Sequence, residues 1–348
     1  MTRGGSYGGD VTDWSLFGDL DRHQPGLVVG IVDGGSVVSG SFGSAAPRGE
    51  RLGEHSLMYV SSIAKQFTAA TIGILALDGA LTLGDSVRRW LPELSEVWAP
   101  VTLDHLVAHT GGLVDSNPVD AASGWGVDCE FSTWDRVAIV ARTSPECRPG
   151  VVHRYSNHGY VLLAAVVERV TGETLGDVAR RVLFEPAAMS DSRFVDTQGG
   201  VGVPGWIGGS QRVDIRFSCC GDGGLLTSLA DLAAWDAWLP TSRLAQLMLA
   251  DRPVLTNGRT AHDAWGISIR RHRGLRIESH GGSIDGYMAS FVRFPAVATT
   301  IIVLANTDQF GVTDFGRRVQ TLADSVLGSH LDHSQPPWTD THGEPLNP

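Results

Sequence analysis

The 348-residue sequence predicts an α+β fold: an antiparallel β-sheet flanked by helices and built from both chain ends, with an inserted, mostly helical lobe. Two observations lead there. β-Rich runs separated by turn residues cluster near the N-terminus and again near the C-terminus. Between them, from about residue 80 to 260, the pattern is mostly helices and loops. The implied division is an α/β lobe from residues 1–78 plus 260–330, a helical lobe over 79–259, and a disordered or loosely attached tail over 331–348.

In chain order, Leu27–Val32 and Ser36–Ser41 flank Asp33-Gly34-Gly35, a hairpin signal with turn chemistry in the middle. Met58–Val60 reads as a short strand. Ser62 to about Leu77 is helical, with Phe67, Ile72, Ile74 and Leu75 among good helix formers, and Asp78-Gly79 ends it. Helices follow at Val161–Thr171, closed by Gly172, at Leu175–Phe184 and at Leu229–Leu239. Trp265–Arg270, Leu275–Ser279, Met288–Phe294 and Thr299–Ala305 are successive strands, and Arg317–Leu327 is a closing helix.

Composition excludes several classes. With 42% hydrophobic residues the chain can bury a sizeable core. Its net charge of −11, without a basic stripe, argues against nucleic-acid binding. No signal-like or 18-residue apolar stretch occurs, which gives the expectation of a cytoplasmic protein without a membrane span. Cys129, Cys147, Cys219 and Cys220 form no CxxC pair and are expected as free thiols. No metal or cofactor is expected: His105 and His109 stand at i, i+4 but lack an HExxH glutamate, and GDGGLL at 221–226 lacks a following GK[ST].

Of the 27 basic residues, 26 are arginines and one is a lysine, Lys65. It lies three residues after Ser62, at a helix start, so the amine falls on the same face as the hydroxyl. Serine needs an adjacent base to act as a nucleophile. Lysine serves only when burial or positive charge removes its proton, which arginine does not release near neutral pH. Tyr155-Ser156-Asn157 precedes a helix: the phenol could shuttle protons and the amide could orient substrate, or the segment is simply an N-cap. His280-Gly281-Gly282-Ser283 follows a strand: its glycines let a substrate approach and a backbone N–H complete an oxyanion hole, or it is a glycine turn. His153 and His158 flank the tyrosine box as rim groups or as supports behind it that could tune the local pKa, Asp285 contacts a substrate amine or caps a turn, and Trp125 and Trp134 line an acyl pocket or belong to the core.

Taken together, SxxK at a helix start, YSN in the helical segment and HGG on a C-terminal strand resemble the serine β-lactamase and penicillin-binding-protein superfamily. Within it the sequence is most similar to the class C β-lactamase-like branch of esterases, D-aminopeptidases and related hydrolases. The resemblance spans about Gly26 to Ala305 and includes SSIAKQFTAA, LVAHTGGL, YSNHGYVLLAAVVERVTG, GDGGLLTSLADLAAW and HGGSIDGY. It implies a β-lactamase/transpeptidase-like fold and an acyl-enzyme mechanism. Ser62 would be the nucleophile, Lys65 its base and Tyr155 the proton-transfer partner. Asn157, His280, Gly282 and Ser283 would face the substrate, with the backbone N–H groups of Ser62 and Ser283 as the oxyanion hole. His280 departs from the K-T-G box of β-lactamases and cell-wall peptidases by removing a fixed cation. The expected substrate is therefore a small ester, amide or short peptide without an essential carboxylate. The alternatives are a biosynthetic acyltransferase, a β-lactamase and a catalytically inactive binding homologue.

Overall fold

The computed structural model describes residues 14–338 except 18–19, 22, 47–48, 114–130, 196–201, 216–220, 253 and 257. Seven antiparallel strands form the main sheet in the order β2-β1-β12-β11-β10-β9-β8. They are β1 (Leu27–Asp33), β2 (Ser36–Phe42), β8 (Asp263–Ala264), β9 (Ile267–His272), β10 (Leu275–Ile284), β11 (Tyr287–Phe294) and β12 (Thr299–Ala305). The chain ends meet where β1 pairs with β12, Leu27 opposite Ala305. Short strands β3 (Met58–Tyr59), β4 (Arg193–Phe194) and β7 (Leu225–Thr227) make a second sheet, and β5 (Gly205–Ile207) pairs with β6 (Gln211–Val213).

The longer helices are α1 (Ala64–Leu77), α2 (Thr133–Val140), α3 (Asn157–Thr171), α4 (Leu229–Trp238) and α5 (Gly311–Leu327). Strand alternation divides the sheet's side chains between two cores. Val28, Val32, Phe291, Ile302 and Leu304 join the core shared with α1, α3 and α4, whereas Val29, Ile31, Val292, Ile301 and Val303 meet Phe315, Val319 and Leu322 of α5. Every residue of β12 is buried, because both its faces are covered. Edge strand β2 is serine-bearing and mostly exposed.

The observed elements refine several boundaries. Helix α3 starts at Asn157, four residues before the expected Val161, and its N-cap Ser156 accepts from the Gly159 N–H at 3.2 Å. The segment expected as one helix over Leu175–Phe184 is α-helical over Leu175–Ala179 and π-helical over Arg180–Phe184. Helix α4 falls within the segment expected to be the helical lobe but packs on the sheet, where a β-carbon on Gly30 would lie 2.7 Å from Leu229.

The tail expected to be loose from residue 331 is packed as far as Trp338. Leu331 is buried, the Asp332 N–H donates to Arg273 O at 3.1 Å, and the Trp338 ring lies 5.5 Å from that of His272. Residues 339–348, Trp125, Cys129, Cys219 and Cys220 lie outside the described residues, while Cys147 is a free, half-buried thiol. No helix among the described residues is long and apolar enough to cross a membrane.

Candidate active site

Ser62 sits in a 3₁₀ turn, Ser61–Ile63, that feeds directly into α1. One turn along, the Lys65 amine donates to Ser62 Oγ at 3.0 Å and to the Asp222 carbonyl at 2.6 Å. Ser62 remains partly exposed, whereas Lys65 is fully buried. Burial lowers the Lys65 pKa to about 7; Arg136 pushes it in the same direction, and the Asp222 carboxylate opposes both. Arg136, from α2, and Asp222 form their own buried ion pair at 2.7 Å, which holds the Asp222 carboxyl below the usual range despite its burial.

Ser61 adopts φ +47°, a left-handed conformation uncommon for a residue with a β-carbon. Its hydroxyl donates to Ser283 O at 2.9 Å and so ties the Ser62 turn to β10. Gly282 makes that approach possible: a β-carbon there would stand 2.2 Å from Val60 O. Gly266, at φ +64°, does the same where β9 begins, since its β-carbon would lie 2.3 Å from the Gln66 nitrogen in α1. Strand β10 runs through His280-Gly281-Gly282-Ser283 to Ile284, so this box is strand and not the glycine turn that the sequence left open. The turn comes at Asp285-Gly286, where Asp285 is exposed.

Tyr155 closes the triangle. Its ring centroid is 4.9 Å from the Lys65 amine and 6.0 Å from the His280 ring, and 38% of the residue is exposed to the cleft. Burial of its hydroxyl pushes the phenol above the ordinary tyrosine range, while neighbouring Ser62 works the other way. His280 is buried and its Nδ1 donates to Gly281 O at 2.6 Å. Burial, and then the Lys65 charge, lower its pKa to about 4, leaving a neutral imidazole with Nε2 as an acceptor. Asn157 is the first residue of α3, two positions after Tyr155 in the chain, but Lys65 is held by Ser62 and Asp222 and not by this amide.

The sequence reading missed the supports beneath this set. The His109 ring stacks against Tyr155, its Nδ1 accepts the Ser156 N–H at 3.1 Å, and burial keeps its pKa well below the usual value. Tyr160 donates to Val107 O at 3.0 Å and accepts the Gly266 N–H at 2.9 Å, joining α3 to β9. Their only sequence signal is membership of the LVAHTGGL, YSNHGY and GDGG stretches. Other candidates fall elsewhere. Trp134 donates to Glu168 at 2.7 Å, and His153 faces Asp263 O at 3.2 Å. His105 meets Thr102, so the i, i+4 histidines do not converge on one point.

An antiparallel sheet whose glycine strand faces a serine–lysine turn, with helices on the far side, defines a β-lactamase/transpeptidase-like protein. The chain belongs to the Beta-lactamase family, whose profile matches residues 14–324. It is 29% identical to penicillin-binding protein 4* of Bacillus subtilis, over 90% of this chain and 75% of that protein. It is 27% identical to a D-aminopeptidase of Cereibacter sphaeroides, over 92% of this chain but 62% of that protein's length. The D-amino acid amidase from Ochrobactrum anthropi SV3 has a similar fold, with TM-score 0.76 at 19% identity over 91% of this chain and 97% of that one. So does the octameric penicillin-binding protein homologue from Pyrococcus abyssi, with TM-score 0.75 at 23% identity over 88% and 74%.

Proposed function

We propose that the protein is a serine hydrolase that cleaves an amide or ester of a small molecule or short peptide through an acyl-enzyme at Ser62. The observation that carries this reading is the Lys65 amine, 3.0 Å from Ser62 Oγ in a site where its pKa falls to about 7. A large share of the protein then holds lysine as a free base at neutral pH, ready to accept the serine proton.

The steps follow from the positions. Ser62 Oγ attacks the substrate carbonyl as Lys65 takes its proton, forming the new C–O bond. The backbone N–H groups of Ser62 and Ser283, brought together by the Ser61–Ser283 bond, are assigned to the oxyanion. The bond to the leaving group breaks as the proton held by Lys65 passes to it by way of the Tyr155 hydroxyl. Tyr155 remains protonated at neutral pH and therefore acts as a relay. Water then attacks the acyl carbonyl, gives its proton to the lysine–tyrosine pair, and the Ser62 oxygen leaves with a proton restored.

His280 shapes the substrate choice. A neutral imidazole offers an acceptor where a lysine would offer a cation, so the box favours a substrate amine or amide N–H over a carboxylate. Similarity to D-aminopeptidases and to a D-amino acid amidase supports amides of D-configured amino acids as the first substrates to examine.

A fluorophosphonate probe read by intact mass, beside turnover of D- and L-amino acid amides, tests the proposal. A single adduct is expected on Ser62, absent in Ser62→Ala. Full turnover by Ser62→Ala would overturn it.

A further inference from the structure

We infer that the cavity between β10 and α5 receives the leaving group, and that its shape suits an amine carrying an apolar or aromatic group, so that the favoured substrate is a short peptide or N-substituted amide and not a primary amide. The inference rests on the hydrolase reading above. The cavity measures about 320 Å³, within the roughly 300–1,000 Å³ of small-molecule sites. Its lining reaches from Tyr155 and His280 to Trp338.

The chemistry assigns the side. As the acyl-enzyme forms, the C–N bond breaks, the amine nitrogen takes the proton relayed by Tyr155, and the neutral amine departs. The amine and whatever it carries therefore lie on the Tyr155 side of the reacting carbon. Tyr155 and His280 line this cavity, whereas Ser62 does not. The buried His280 spends Nδ1 on Gly281 O at 2.6 Å, which leaves Nε2 to accept the N–H of the scissile amide.

Small residues make the space. On the face of the sheet that packs against α5, Ile277, Val292 and Val303 fill the second core. Beside them Ser279, Gly281 and Ser290 present almost no side chain. Opposite stands Gly316 of α5, where an added β-carbon would meet nothing within 4 Å. Val292, Val319 and Trp338 supply apolar walls, and Val312, 60% exposed, stands at the rim. The polar wall is matched within itself: Ser268 donates to Asp263, and Arg270 approaches the same carboxylate at 3.9 Å. What remains for a ligand is shape and apolar contact.

Trp338 is brought there by a strap. The Asp332 N–H donates to Arg273 O at 3.1 Å, and the Arg273 N–H donates to Pro336 O at 3.2 Å. The Arg273 guanidinium holds Asp324 of α5 through two bonds, at 2.7 and 3.1 Å. The tail is thereby pinned to the β9–β10 turn and to the helix, and its indole completes a wall against which a flat ring packs well. The larger cavity between α4 and the sheet has no residue of the candidate site among its walls.

Three amides test the inference on the full chain: alanine amide, alanine benzylamide and phenylalanine amide, each in D and L forms. The readout is kcat/KM, which covers the step that expels the amine. Wild type is expected to prefer the benzylamide to the primary amide at least tenfold. Gly316→Leu fills the cavity and is expected to lower that preference at least tenfold, while the ratio of phenylalanine amide to alanine amide stays within twofold. Trp338→Ala removes a wall and is expected to lower the benzylamide preference at least threefold. Glycine is a weak helix former, so Gly316→Leu should melt no lower than wild type, which separates a filled cavity from a lost fold. A loss that falls on phenylalanine amide instead makes the cavity an acyl pocket and overturns the inference, as does an unchanged benzylamide preference in both variants. Fluorophosphonate labelling separates this reading from the one beneath it. Label on Ser62 without a preference for the benzylamide, or without cleavage of any amide, overturns the leaving-group pocket alone. No label and no cleavage overturn the hydrolase reading and the pocket with it.

Discussion

His109 forms a shelf beneath Tyr155: the two rings stack with centroids 4.5 Å apart and planes 27° from parallel, while His109 Nδ1 holds the backbone N–H of Ser156. The shelf fixes a tyrosine that is only partly exposed to the cleft. His109→Ala removes both the stacking and the acceptor. Aromatic pairs contribute about 0.5–1.5 kcal/mol beyond area, so turnover is expected to fall by roughly tenfold. Steady-state kinetics should place the loss in kcat more than in KM, and an unchanged kcat would free Tyr155 of this support.

Lys65→Arg conserves charge but places a group that does not release its proton where a base is required. Phosphonylation of Ser62 by the fluorophosphonate probe is expected to drop by at least ~10³-fold, the scale of a lost general base. Near-normal labelling on intact mass would remove Lys65 from the assigned role.

The pH dependence has a definite sign. The proposed mechanism uses Lys65 as the free base, so kcat/KM is expected to rise with pH through about 7 and to flatten above it. Arg136→Met removes a cation that lowers the lysine pKa and leaves the Asp222 carboxylate, which raises it, unopposed. Both changes shift the acid limb to higher pH. Breaking this buried pair also costs about 3–5 kcal/mol of stability. A pH–rate series on the variant, with melting temperatures alongside, reads both effects; a limb moved to lower pH contradicts the assignment.

His280→Lys puts a cation at the position that a neutral imidazole now occupies. Substrates bearing a free carboxylate are expected to gain in kcat/KM relative to uncharged amides. The comparison needs one matched pair, an amino acid amide and its carboxylate-bearing peptide analogue, assayed on both proteins.

Gly282→Ala would set a methyl group 2.2 Å from Val60 O, a backbone atom with little room to yield. Overpacking of this kind costs about 1–3 kcal/mol, and it pushes β10 away from the Ser62 turn. A lower melting temperature together with loss of probe labelling is expected, whereas Gly281→Ala, whose β-carbon meets nothing nearer than 3.7 Å, should be mild.

Much of the fold was legible because strand and helix periods are local. The β-rich runs of β1, β11 and β12 and the closing helix α5 appear in the sequence, and the two cores take alternate residues from those strands. SxxK was legible because three residues of helix decide whether a lysine can reach a serine. The sequence by itself therefore determined the long strands of the main sheet, the catalytic candidates and the singular status of one lysine among arginines, while the short strands β4 to β8 went unread. It did not determine which partners those candidates meet. That the glycine box is strand rather than turn depends on β10 closing against Val60 and Ser61, and that the Lys65 amine is held by the Asp222 carbonyl and not by the Asn157 amide depends on a segment 157 residues away. Tertiary structure alone decided the charge state of the site, because pKa values follow burial and neighbours, and these arise only when distant segments enclose Lys65 and His280.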